Sequence, residues 1–144
     1  MNYLLDTNIL SLAMLTDSVV TSKLAQLAPG EGAISVLTYA EIRYGLQRMS
    51  SFPMSSTRQR AMARKEELFD RLMDHLDILA WDKAAAAAYA GERIACERDG
   101  DVVAVVDLMI LAHAGSTGRV LVTRDTALQR RSKRGHHRAE VISW

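Results

Sequence analysis

MNYLLDTNIL, residues 1–10, places a short buried strand, Tyr3-Leu4-Leu5, directly ahead of three polar side chains, Asp6, Thr7 and Asn8, before the apolar pattern resumes at Ile9 and Leu10. A carboxylate therefore stands where a strand ends. In an open parallel sheet the crevice outside the carboxyl ends of the strands is where ligands bind, so an acid in that position can face a site without entering the core. Residues 119–123 (RVLVT) repeat the arrangement as another strand, followed at once by Arg124 and Asp125.

Between these two strands the pattern alternates. Residues 19–28 read as a helix closed by Pro29-Gly30, and residues 33–37 as a second strand. Thr38 and Glu41 have capping-box spacing and predict a helix that opens at Thr38 and runs through Ile42 and Leu46. Residues 50–56, with Pro53, read as a loop, and residues 57–76 as a long amphipathic scaffold helix. A third strand is expected at residues 77–80, then a helix capped by Asp82, rich in alanine and stopped at Gly100. Residues 102–114 are apolar almost throughout with Asp107 in their middle, and Gly118 ends that helix. Residues 140–143 make a last short strand. Strands alternating with helices predict an α/β fold with a mainly parallel central sheet, in one domain spanning residues 1–144.

A chain of 144 residues can bury a real core. No apolar run reaches the roughly 18 residues of a membrane span, and residues 1–10 lack the basic start and long apolar centre of a signal peptide, so the expectation is a cytoplasmic protein with no membrane partner. The lone Cys96 cannot form an internal disulfide. The net charge of +1 hides a basic last quarter: Arg124, Arg130, Arg131, Lys133, Arg134 and Arg138, with His136 and His137 among them. Such a patch can hold phosphates or an acidic partner, and a solvated face is its plain alternative.

Asp6, Glu41, Asp107 and Asp125 share one placement, at a strand end or near a helix start. If the strand ends lie together, the four carboxylates face one cleft, where they raise one another's pKa values unless a cation neutralises them. Hard oxygen ligands suit Mg2+ or Mn2+, and the chemistry that follows is metal-assisted phosphoryl transfer. Singly, Asp6 also reads as a turn residue, Glu41 as a helix cap, and Asp125 as an Asx turn or N-cap. Asp107 resists such a reading because a buried unpaired carboxylate costs several kcal/mol. His113 reads as a hydrogen-bonded core histidine; His75, His136 and His137 lack metal-ligand spacing. Asp99 and Asp101, flanking Gly100, read as a solvated turn. There is no P-loop, no G-x-G-x-x-G and no G-x-S-x-G.

With these residues in place, the chain resembles PIN-domain ribonucleases, specifically the VapC toxins of bacterial VapBC toxin-antitoxin pairs. YLLDTNIL is similar to the family's opening motif and carries its first acid to Asp6; ISVLTYAEIRYGL resembles the second and carries its Glu to Glu41. DLMILAHA resembles the family's DLLIAAHA and places the third acid at Asp107, while LVTRD resembles its strand-end T-x-D motif and places the fourth at Asp125. Trp81-Asp82, the alanine run and the terminal Trp144 agree. Residues 100–107 lack the Pro and second Gly of the family's G-x-P-I-G-x-x-D, and the basic run RRSKRGHHR departs from the family pattern.

The resemblance implies a PIN-like three-layer fold and an endoribonuclease, dependent on Mg2+ or Mn2+, that arrests translation when its antitoxin is lost. Asp6 and Asp107 would be the principal metal ligands, completed by Glu41 and Asp125, with Thr7, Asn8 and Thr123 orienting them. It also implies a homodimer and a VapB-type antitoxin covering the cleft. Arg124, Arg130, Arg131, Lys133 and Arg134 are candidates for RNA or antitoxin contact. Two other readings compete: a PIN-like module that binds RNA or a partner without cutting, and an aspartyl phosphatase of the haloacid dehalogenase type or a receiver domain. Asp6 lacks the partner Asp two residues on that the phosphatase needs.

Overall fold

Runs of two to four β-forming residues are too short to bury both faces alone, and here five of them lie side by side. The computed structural model describes residues 1–134 and 139–144. The strands are β1 (Tyr3–Leu5), β2 (Gly32–Ser35), β3 (Asp77–Leu79), β4 (Val120–Val122) and β5 (Val141–Ile142), paired in the order β3-β2-β1-β4-β5 and parallel at every pairing. Parallel neighbours need crossovers. These are supplied by α1 (Thr7–Met14), α2 (Ser18–Ala25), α3 (Val36–Ser50), α4 (Ser56–Met73), α5 (Lys83–Asp99), α6 (Val105–Thr117) and α7 (Thr126–Ser132).

Side chains alternate across each strand. Leu5, Ile34 and Val122 enter a core with Ile9, Leu10 and Ala13 of α1, Ile42 and Leu46 of α3, and Met62 and Phe69 of α4. Leu4, Ala33 and Leu121 enter the opposite one with Cys96 of α5, Leu108, Ile110 and Leu111 of α6, and Leu128 of α7. This is the expected three-layer α/β arrangement. Among the described residues no helix is long and apolar enough to cross a membrane.

Register brings the strand ends level. Leu5 pairs with Ile34 on one side and Val122 on the other, so Asp6 and Thr123 leave the sheet at the same height, level with Ser35, the last residue of β2. The Asp6 N–H donates to the Val122 carbonyl at 3.1 Å, holding the first residue past β1 against the end of β4. Strand order reverses between β1 and β4, which makes the crevice above that pair the ligand-binding position of an open parallel sheet.

Several expected boundaries move. Residues 7–14, left without an element in the sequence pattern, form α1, because Asp6 ends β1 and caps the helix in one step, with Oδ1 accepting from the Ile9 N–H at 2.8 Å. β2 ends at Ser35 rather than residue 37, and α3 starts there: the Ser35 hydroxyl accepts from the Leu37 N–H at 3.1 Å. The predicted capping box is thereby corrected. Thr38 lies inside the first turn of α3 and Glu41 in its second, so Glu41 is no cap. α6 starts at Val105 from Ala104, which offers no capping side chain, and Asp107 stands in its first turn. Gly100 and Gly118 close α5 and α6 in left-handed conformation (φ 67° and 65°), as their positions predicted.

Candidate active site

Asp6 is the pivot. It is 3% exposed, and burial, the main influence on it, pushes its carboxyl up from the usual range; hydrogen bonds from Thr123, Ile9 and Asn8 act against that shift and the charge of Asp125 with it. Oδ1 serves the α1 N-terminus, and Oδ2 accepts a short hydrogen bond from the fully buried Thr123 hydroxyl. Thr123 Oγ1 in turn accepts from the Asp125 N–H at 2.9 Å. Asp125 caps α7, its Oδ1 accepting from the Leu128 N–H at 2.8 Å. One threonine at the end of β4 therefore fixes both carboxylates.

Asp107 approaches from α6, half-buried. Burial raises its carboxyl pKa first, and the charges of Asp125, Glu41 and Asp6 raise it further. All four predicted acids thus meet in one electrostatic cluster at the carboxyl end of the sheet. Glu41 is exposed and reaches across to α1, where Oε1 accepts from the Thr7 hydroxyl at 2.9 Å. Thr7 and Thr123 contact acids through their hydroxyls and Asn8 contacts Asp6 through its backbone, while the Asn8 residue is exposed beside Arg124, Asp125 and Thr126 at the rim of a shallow depression. A second depression, of about 290 Å3, opens on the other flank of α1, lined by Thr7, Glu41, Gly45, Met49 and Lys65 among others.

The basic residues divide. Arg130 and Lys133 are exposed. Arg124 is partly committed, with Nε donating to the Trp144 carbonyl at 2.5 Å and Nη1 3.3 Å from Asp17. The expectation of an RNA or antitoxin contact at Arg131 is corrected, because its side chain is 0% exposed and sits among Asp99 at 2.5 Å, Asp101 at 2.8 Å and Glu92 at 3.9 Å. The same contacts overturn the solvated turn expected at Asp99 and Asp101. Arg134, exposed, pairs with Asp101 at 3.3 Å. His136, His137 and Arg138 lie outside the described residues. His113 is the core histidine its surroundings predicted: buried, its Nδ1 2.9 Å from the Ser35 hydroxyl and its ring edge-on to Trp81.

A model of the PIN domain matches residues 3–134. The chain belongs to the PIN domain family. It is 30% identical over 127 residues to the tRNA(fMet)-specific endonuclease VapC of Shigella flexneri, covering 88% of each chain. It is 29% identical over 126 residues to ribonuclease VapC2 of Haemophilus influenzae, covering 87% of each. Among solved structures, VapBC2 from Rickettsia felis bound to a promoter DNA fragment superposes with a TM-score of 0.80 at 24% identity, over 100% of this chain and 99% of that one. DNA-bound VapBC from Salmonella typhimurium gives 0.79 at 25%, over 100% and 98%. The five-stranded parallel sheet flanked by helices is the PIN fold.

The four carboxylates present only oxygen donors. Among the described residues no three His, Cys, Asp or Glu side chains stand close enough together to hold a metal ion as a group. Such an open acidic rim suits Mg2+ or Mn2+, which are held by one or two carboxylates with water completing the shell, and does not suit zinc. Burial is the main reason that the Asp6 and Asp107 carboxyls are raised, and the neighbouring carboxylates add to it.

Proposed function

We propose that this protein is the toxin of a VapBC-type toxin-antitoxin pair, a divalent-metal-dependent endoribonuclease that hydrolyses RNA phosphodiester bonds and so inhibits translation. The observation that carries this reading is the meeting of Asp6, Glu41, Asp107 and Asp125 above the β1–β4 crevice. The VapC names of its relatives and the VapBC neighbours support the same activity and an antitoxin partner. A homodimer is part of the proposal.

Asp6 and Asp107 would hold Mg2+ or Mn2+, with Glu41 and Asp125 completing the acidic rim. The ion would supply Lewis acidity toward the scissile phosphate and lower the pKa of water. The protein's own part is orientation. Thr123 keeps one Asp6 oxygen and the Asp125 backbone in fixed relation, and the α1 N-terminus fixes the other Asp6 oxygen. The resemblance to PIN ribonucleases implies water as the nucleophile, and with it 5′-phosphate and 3′-hydroxyl ends.

The test is cleavage by purified protein of an RNA panel that includes the tRNA(fMet) for which the Shigella relative is named, with Mg2+ or Mn2+ against EDTA. Asp6→Asn and Asp107→Asn each keep side-chain size and remove a charge, and each should reduce cleavage at least about a hundredfold while the protein stays folded. Full cleavage by either variant, or by wild type in EDTA, overturns the reading; RNA binding without cleavage by the wild type would leave a binding module.

A further inference from the structure

Thr38, fully buried in the first turn of α3, has its hydroxyl 3.3 Å from Thr7 Oγ1, and Thr7 Oγ1 lies 2.9 Å from Glu41 Oε1. Thr7 has one hydroxyl proton and two oxygen neighbours. An ionised carboxylate can only accept, so that proton goes to Glu41. The Thr7–Thr38 contact then requires the Thr38 proton, which gives a chain of fixed direction: Thr38 O–H to Thr7 Oγ1, and Thr7 O–H to Glu41 Oε1. Its two ends have different mobility. Glu41 is exposed, carries a long side chain and has no capping role, whereas Thr38 cannot move without disturbing the core under α3.

We propose that Thr38 is a positioning residue for the acidic cluster: by orienting the Thr7 hydroxyl, it holds the Glu41 carboxylate in one place against the start of α1. The inference rests on the metal-site reading above. The charge of Glu41 acts on Asp107, and a Glu41 held by Thr7 adds its charge to the site without the cost of ordering a free side chain. Hydroxyl-to-hydroxyl-to-carboxylate order also explains why two threonines, rather than apolar β-branched residues, stand where α1 meets α3.

The measurement is Mn2+ binding to RNA-free protein, followed by electron paramagnetic resonance, so that catalysis does not enter. Thr38→Val keeps the shape and removes the donor; it should weaken Mn2+ binding about tenfold, the lower end of what outer contacts to a metal ligand are worth. Thr38→Ser should restore wild-type affinity. In a Glu41→Gln background Thr38→Val should add nothing, because its effect passes through that carboxylate. Unchanged affinity in Thr38→Val overturns the proposal, as does an equal loss in the Glu41→Gln background. If Thr38→Val does not fold, Thr7→Val breaks the same chain from a half-buried position and carries the same expectations. A wild type without saturable Mn2+ binding instead removes the metal-site reading, and this inference with it.

Discussion

His113 and Asp6 are both buried, and their neighbours set opposite demands on charge. Asp6 is surrounded by donors, so its ionised form is tolerated despite burial. His113 meets the Ser35 hydroxyl, the Ala80 backbone and the Trp81 ring, and burial holds its pKa below the ordinary 6.5, while Asp82 and Ala80 act in the other direction. Its neutral form is therefore the folded form, with Ser35 donating to Nδ1. The sign follows directly: below about pH 6.5 the unfolded chain takes up a proton that the folded one refuses, so stability present above that pH is lost as pH falls toward the depressed value. Urea unfolding between pH 7.5 and 5.5 should show this loss in wild type and a flatter dependence in His113→Gln. Parallel profiles for the two proteins would mean that His113 does not set the slope. The histidine's burial was legible from its apolar neighbours, but its link to Ser35 was not, because 78 residues separate them.

Helices and strands were legible to the extent that local pattern alone determines them. β1 and β4 were readable because an apolar run stops at a polar residue, and the ends of α5 and α6 because glycine takes a conformation that other residues avoid. The start of α3 misled. Ser35 and Thr38 are both hydroxyl residues three apart, and only pairing with Leu79 of β3, a long-range fact, carries the strand to Ser35 and no further. The acids remained readable through this error because Glu41 projects from the same helix either way. The α5–α7 connection was not legible at all: Arg131 looked like one more basic residue in a charged run, and its partners lie 30 and 32 residues earlier. Its burial among three carboxylates ties α7, and therefore the Asp125 cap, to the end of α5. Arg131→Met should cost about 3–5 kcal/mol, since it strands carboxylates that face one another. A loss under about 1 kcal/mol in urea unfolding, the range of an exposed pair, would show that the network contributes little.

Across the molecule, the sheet aligns strand ends so that four carboxylates share one edge, and the fold bears their repulsion for the sake of the site. Asp107 shows the cost most directly, because burial and three neighbouring charges all oppose its ionisation and it caps no helix. Removing its charge should therefore stabilise the metal-free protein. In EDTA at neutral pH, Asp107→Asn should melt higher than wild type. On the proposed metal-site reading, adding Mg2+ or Mn2+ should reverse the order, because an ion that binds only the folded state stabilises it by mass action, about 2.7 kcal/mol at a hundred times its Kd. Wild type should gain that increment and the Asp6→Asn, Asp107→Asn double variant should not. The crossing of the two melting curves on metal addition is the diagnostic, since a structural role for Asp107 predicts a variant that is weaker in both conditions. An increment that persists undiminished in the double variant would place the ion elsewhere on the molecule and leave the strand-end acids without the partner their arrangement demands.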